Sequence, residues 1–537
     1  MGLLPLGSAT LNSPSFSLFP MFVLLAISLG AFALFSRKRE LSLPPGPKPL
    51  PVIGNLFDVP LIKPWIVYEK WAQTYGSDVL CMQLPSQPVI ILNSAQVAGD
   101  LLGERSNIYG DKPRALMDKL LGWDWAMSSI PYGQRWTYAR KYFHQSFNGI
   151  AVQQYRDVQQ REVRRFLQRT LMEQDRKANM KSVTHPFATV ILEITYGIQI
   201  QSLDDPVVVN IREALETFSE IKVPGAFWVE AFPFLRHLPR WTPGAAFHRY
   251  IDLNRPKVLA ARERPFGRTL QDIARNFYTC LRFELNVVKS IKNDGTAPPS
   301  MVHDLVQALR EEYSNKNEYY EHEAAVETTH STICWFIVAM AMYPQVQEKA
   351  QRELDRVIGA DRLPVHEDYD SLPYIQGVML ESLRWVPGLP IGIPHRSMVD
   401  DEYRGYRIPK NSTMVPNTWN VSSLGIMMQD SFDPERYLDK EGRINPEVRD
   451  PSTIVFGFGR RMCAGRYFAK EAIFLTIASI LHVFNIQPAL DEDGKPMQLS
   501  IAAAAPESGL FLHPKRLDCT LAPRSDKAVK VIGEVYE

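Results

Sequence analysis

A chain of 537 residues, 45% hydrophobic and 22% charged, can bury a large core and has the make-up of an ordinary globular protein. Its net charge of +1, with no basic stripe interleaved with aromatics, argues against nucleic-acid binding. Five cysteines, odd in number and without a C-x-x-C pair, argue for a reducing compartment rather than a disulfide framework. Length alone suggests about three or four domains, but no long linker or internal repeat divides the chain.

Residues 1–36 carry no charge. Phe16 to Phe35 is an apolar run long enough to span a bilayer, and Arg37-Lys38-Arg39 follow it. A cleaved secretory signal is the competing reading, since Ala31-x-Ala33 offers a cleavage site. No basic region precedes the run, however, and the positive cluster lies after it. The expectation is a single-pass anchor over 1–36 with the body on the cytosolic side. Residues 37–50 form a basic, proline-rich hinge (Pro44-Pro45-Gly46-Pro47 and Pro49). The globule would span 51–537.

Within the globule, Pro64 to Tyr75 reads as a short helix. Val79–Leu84 and Pro88–Leu92, joined by Pro85-Ser86-Gln87, read as a hairpin. Helical periodicity marks 134–148, 152–173, 208–221, 318–342, 345–358 and 374–386. Extended pieces are expected near Ile391–Pro394 and Tyr403–Ile408. The fold class is therefore mainly α with small β-sheets. The stretch 221–241 is dense in aromatics and prolines, with Arg236, His237 and Arg240 among them. Core packing is the commoner fate of such residues; an apolar patch with a basic rim, lying against a membrane, is the alternative.

Several short patterns bear on chemistry. Trp136 and Arg140 stand one helical turn apart, and an indole N–H and a guanidinium both suit a carboxylate. His322-Glu323-Ala324-Ala325 begins like a zinc-hydrolase H-E-x-x-H, but Val326 replaces the second histidine. Glu381 and Arg384, at i and i+3, can pair on one helix face, a spacing that is common and by itself uninformative. Phe432-Asp433-Pro434-Glu435-Arg436 follows. The run Phe456 to Gly465 (FGFGRRMCAG) then sets Cys463 behind a glycine-rich loop and ahead of a helix over Tyr467–Phe484. A sulfur at a helix N-terminus beside Arg461 is expected to have a lowered thiol pKa. Gly459 and Gly465, lacking a Cβ, would let the backbone approach something large and flat. Such a thiolate suits an axial bond to haem iron. A buried cysteine acting as a small hydrophobe is the bland alternative. Five fixed residues of this kind arise by chance in about one of 10⁷ windows, which disfavours it.

This run matches F-x-x-G-x-R-x-C-x-G at every fixed position and resembles the haem-binding signature of the cytochrome P450 family. The resemblance covers nearly all of residues 40–520 and is greatest to the fungal microsomal branch. It implies the P450 fold behind an N-terminal transmembrane helix, with Cys463 as axial ligand of haem b and Phe456, Gly459 and Arg461 around the cofactor. It further implies that Trp136, Arg140, His395 and Arg461 hold the haem propionates, with a poorer match at Arg114. Glu381, Arg384 and Arg436 would form a buried triad holding the cysteine loop.

On the distal side the family motif is roughly [AG]-G-x-[DE]-T-[TS], against Ala324-Ala325-Val326-Glu327-Thr328-Thr329 here. Glu327 and Thr328 stand where proton delivery is expected. Ala325 replaces the usual glycine, Asn317–Glu323 is short and polar, and Asn420–Gln429 is short and apolar where relatives are acidic. The implied function is oxidation of a small lipophilic substrate in secondary metabolism, of terpenoid, polyketide or indole type. It would use O2 and NADPH-derived electrons from a reductase docking near Arg135, Lys141 and Arg460, at the endoplasmic reticulum membrane. Two alternatives stay open: a reductase-independent haem-thiolate isomerase or dehydratase, and a haem-binding protein inactivated by the shortened distal helix.

Overall fold

The computed structural model describes residues 41–173, 177–202, 204–223, 225–242, 244–281, 300–301, 327–422, 431–506 and 509–533. The expectations for 1–36, for Arg37-Lys38-Arg39, for 317–326 and for most of 420–429 lie outside these residues. Among the described residues no helix is long and apolar enough to cross a membrane.

Helix α1 (Pro64–Tyr75) begins with proline at its first position, where no N–H is missed, and ends on Gly76 in the left-handed region. Strands β1 (Val79–Gln83) and β2 (Pro88–Leu92) pair antiparallel from Val79↔Leu92 to Gln83↔Pro88, the hairpin read from sequence. The expected helices follow as α2 (Gln134–Phe147), α3 (Arg156–Met172), α5 (Pro206–Ile221), α7 (Glu327–Met342), α8 (Pro344–Val357) and α9 (Pro373–Trp385). Between them lie α4 (Met180–Tyr196) and α6 (Ala246–Leu281). Pro344 and Pro373 start α8 and α9, and Asp205 caps α5 by accepting the Val207 N–H at 2.8 Å.

Beyond α9 the sheet forms differently from the sequence expectation. Ile391–Pro394 is not a strand; β3 is His395–Arg396, directly after Pro394, which has no N–H to give a ladder. It pairs antiparallel with β6 (Thr413–Pro416), which runs parallel to β2, so the sheet order is β1-β2-β6-β3. Asp401–Tyr403 and Tyr406–Ile408 form the small hairpin β4–β5. Helix α10 (Arg466–Val483) leads into β7 (Phe484–Pro488), paired with β8 (Cys519–Pro523), and α11 (Asp526–Gly533) follows.

Two helices are apolar nearly all round and therefore central. Every residue from Ile333 to Met340 on α7 is buried, as is every residue from Ala472 to Val483 on α10. Around them Trp335, Trp385 and Phe432 meet edge to face, the two tryptophans at 6.4 Å and 87°. The Trp335 indole donates to the Leu512 carbonyl at 2.7 Å, fixing α7 to the C-terminal chain. A separate apolar cluster gathers Met117, Leu121, Trp123 and Trp125 with Phe218 of α5, Phe247 and Val258 of α6, and Leu510. The stretch 221–241 divides: Val223, Val229 and Ala231 are buried, whereas Trp228, Phe234 and Trp241 are exposed.

Candidate functional site

The loop carrying Cys463 reverses the chain through two glycines in the left-handed region, Gly457 (φ +78°) and Gly459 (φ +52°). The Cys463 N–H closes the turn on the Phe456 carbonyl at 2.7 Å. A Cβ on Gly459 would overlap the Leu102 carbonyl and the Ser106 side chain. Its missing side chain thus admits the helical segments Gly99–Glu104 and Ser106–Tyr109. Gly465 has nothing within 4 Å of where a Cβ would stand, and it precedes the first residue of α10.

The Cys463 side chain is accessible although it sits deep among protein atoms. Burial pushes its thiol pKa up, against the Gly465 N–H and the charges of Arg140 and Arg466, which all pull it down. The sequence expectation of a lowered pKa is therefore corrected. The helix end is present as expected and the cations are Arg140 and Arg466 rather than Arg461, but desolvation, which no local pattern reports, outweighs them.

Cations crowd the same region. Arg461 stacks its guanidinium 4.3 Å from the Trp136 ring and donates to the carbonyls of Gly110 (2.7 Å), Ile130 (3.0 Å) and Met127 (3.4 Å). Burial lowers its pKa to about 10. Arg140 is half-buried, and its pKa is lowered by burial too. Lys112, which the sequence reading passed over in favour of Arg114, is buried and donates to Pro394 (3.0 Å) and Ile393 (3.3 Å). Burial, then Arg461 and Lys222, hold its pKa well below the usual lysine value.

The acid of this cluster is Asp111. Its oxygens are taken by the Tyr132 N–H (2.7 Å), Arg396 (3.2 Å) and Arg114 (3.3 Å). Among the described residues no carboxylate pairs with Arg140, Arg461 or Lys112. His395 Nδ1 lies 2.9 Å from the Tyr109 carbonyl, so Nδ1 carries the proton and the neutral ring leaves Nε2 as an acceptor. Burial and Lys112 hold it neutral. A carboxylate brought alongside would favour the imidazolium and turn Nε2 into a donor. Buried positive charge in excess of the one acid, Asp111, beside an accessible sulfur, fits a planar metal cofactor bearing carboxylates.

Behind the loop, Glu381 is fully buried and takes Arg384 bidentately, 2.7 Å to each oxygen. Arg436 Nε joins at 3.2 Å, and the Asp433 N–H donates to the same carboxylate at 2.8 Å. The structure thus brings Glu381, Arg384 and Arg436 together. Thr328 is half-buried in the first turn of α7, its carbonyl accepting from Thr332 Oγ1 at 3.1 Å. A Cβ on Gly388 would come within 3.3 Å of that carbonyl, so the chain after α9 packs directly on this turn. The Glu327 side chain lies outside the described side chains.

A cavity of about 840 Å³ opens between α4, α5, His330 and the chain around Phe511 and His513. Neither Cys463 nor Thr328 is among its described lining residues.

A family model described as Cytochrome P450 matches residues 44–514. Cytochrome P450 monooxygenase COX2 of Coprinopsis cinerea is 36% identical, over 93% of each chain. Tryptamine 4-monooxygenase of Psilocybe cyanescens is 34% identical over 94% of this chain and 97% of its own. Cytochrome P450 monooxygenase claR of Ampulloclitocybe clavipes is 37% identical over 92% and 89%.

Proposed function

The chain belongs to the cytochrome P450 family and is a haem-thiolate monooxygenase; we propose that it is membrane-anchored and oxidises a small lipophilic substrate in fungal secondary metabolism. When bound, haem would supply the chemistry of O2 activation, with electrons from a reductase.

The observation that carries the site assignment is the accessible Cys463 sulfur, held by the Gly465 N–H at the head of α10. Cys463 Sγ would bond the iron, and coordination would stabilise the thiolate that burial alone disfavours. Arg140, Arg461, Lys112 and His395 would bind the propionates, with Trp136 supporting the Arg461 guanidinium from below. Phe456 anchors the loop through its carbonyl. Glu381, Arg384 and Arg436 hold the chain ahead of the loop and take no part in proton or electron transfer. Thr328 Oγ1 would hold the proton-relay position at the distal face, with Glu327 as the acid behind it.

Two apolar stretches support the membrane reading. Val52, Phe57, Leu61 and Ile62 are exposed, as are Trp228, Phe234 and Trp241. Gly225 packs so closely on Val59 that a Cβ would come within 2.7 Å of it, so the stretches lie side by side. Together with the uncharged 1–36 run they would rest on the endoplasmic reticulum bilayer and admit a lipophilic substrate from it, with Arg236 and His237 at the rim. A membrane-bound NADPH-dependent reductase would dock near the exposed Arg135, Lys141 and Arg460.

The test is expression of the full chain in yeast microsomes with a reductase. A red-shifted Soret band of the reduced carbon monoxide complex is expected, with new oxygenated metabolites relative to a host lacking the gene. The Cys463→Ser variant should lose both. Retention of the band and of oxygen-dependent turnover by that variant would overturn the assignment.

A further inference from the structure

The separate apolar cluster over Leu116–Trp125, α5 and the start of α6 is pinned by polar contacts between segments far apart in sequence. Lys222, just past the end of α5, has 11% of its side chain exposed and reaches the 7%-exposed Asp118 at 2.5 Å. The same ammonium donates to Ser129 Oγ at 2.9 Å. The Glu230 carboxylate accepts the Met117 and Leu116 N–H groups at 2.6 and 2.9 Å, capping the short helix Leu116–Leu121. Trp123 donates to Thr217 at 3.2 Å, and Ser219 accepts the Leu510 N–H at 2.7 Å.

The turn that holds Ser129 also holds the cysteine loop. Ser129 and Ile130 donate their N–H groups to the Ala126 carbonyl at 2.8 and 2.9 Å, making one tight turn. Met127 and Ile130, on either side of Ser129, are the residues whose carbonyls accept from Arg461. Arg461 is two residues from Cys463. A continuous path therefore runs from the α5 end, through Lys222 and the Ala126–Ile130 turn, to Arg461.

We propose that Lys222 is a positioning residue that latches the Leu116–Ile130 segment to the end of α5 and couples the position of this segment to Arg461, two residues from Cys463. The physical ground is the location of the pair. A nearly buried ion pair is a poor source of stability compared with apolar packing of the same volume, yet it is costly to break once formed. Such a contact has two discrete states, made and broken. Breaking it releases the Ser129 turn, and with it two of the three carbonyls that orient the Arg461 guanidinium.

The experiment is hydrogen–deuterium exchange by mass spectrometry on the haem-loaded full chain, wild type against Lys222→Met, Asp118→Asn and the double variant. Met keeps the length of the stem, Asn keeps the shape of the carboxylate, and the double variant leaves no lone buried charge. Lys222→Met is expected to speed exchange about tenfold or more at amides of Leu116–Trp123. A smaller increase should appear in the peptide carrying Phe456–Arg466, and imidazole should bind the ferric haem faster. The double variant should resemble Lys222→Met in exchange and in imidazole rate while regaining thermal stability. Unchanged exchange at Leu116–Trp123 would overturn the latch. Faster exchange there, with the Phe456–Arg466 peptide and the imidazole rate unmoved, would overturn the coupling. The proposal rests on the haem assignment, whose failure would show separately as a missing carbon monoxide band in all four proteins.

Discussion

Removing the charge of Glu381 without changing its shape is the most direct test of how the cysteine loop is held. Glu381→Gln keeps the side chain's volume but leaves two guanidinium groups facing each other. Arg384 is only 3% exposed and Arg436 13%, so water would do little to screen them. The carboxylate now receives two bonds from Arg384, one from Arg436 and the Asp433 N–H, and a glutamine oxygen serves at most part of that set. Removing one partner of a buried ionic network costs about 3–5 kcal/mol. That is a large fraction of the about 5–15 kcal/mol typical of a folded domain. The assay is a urea titration of the haem-loaded protein followed through the Soret band and tryptophan fluorescence. Both transitions are expected at lower urea, with haem lost before the global unfolding. Replacing the three together, as Glu381→Leu with Arg384→Met and Arg436→Met, should recover much of the loss, because an apolar cluster of similar volume carries no stranded charge. A Glu381→Gln protein destabilised by less than about 1 kcal/mol would refute the argument, since it would mean that solvent reaches the network.

Three further outcomes are expected. Gly459→Ala puts a Cβ into the Leu102 carbonyl at φ +52°, so it should cost well over about 1 kcal/mol and reduce haem content; a normal haem-to-protein ratio would contradict this. His366 donates from Nε2 to Gln159 at 3.0 Å, and burial, with Arg156 nearby, lowers its pKa to about 4 from an ordinary 6.5. The unfolded chain then binds more protons than the native one between pH 6.5 and 4, so stability should fall by about 2–3 kcal/mol as pH drops through that window. His366→Gln should flatten that part of the curve, and an unaltered slope in the variant would count against the assignment. Replacing the exposed Phe234 and Trp241 with serine should weaken quenching of the remaining tryptophans by brominated lipids in anionic vesicles, whereas equal quenching would mean that this face does not touch the bilayer.

What the sequence disclosed and what it withheld divide along chain separation. The Phe456–Gly465 loop was legible because its parts are neighbours: the glycines, the arginine, the sulfur and the following helix lie within one run. The Glu381–Arg384 pair was equally local, and Arg436 came with it only because the family order supplied the third member. The hairpin β1–β2 and the helices α2, α3, α5, α8 and α9 were legible for the same reason, since periodicity and terminal prolines act over a few residues. Strand β6 was not. Its four residues are extended because β2 and β3, far away in the chain, bracket them.

The misread chemistry has the same origin. Lys112 carries no motif of its own, and its ammonium donates to carbonyls 281 and 282 positions away. Lys222 and Asp118 stand 104 residues apart and carry no motif, although theirs is among the least exposed ion pairs in the described structure. The sign of the Cys463 shift was reversed because the helix end and Arg466 are written next to it, whereas Arg140 comes from a distant helix and desolvation from the whole fold. Local sequence therefore states which charges a site has been given. Whether those charges are stable there is decided by what surrounds them, and at this sulfur burial pushes the thiol pKa up against the helix end and the cations.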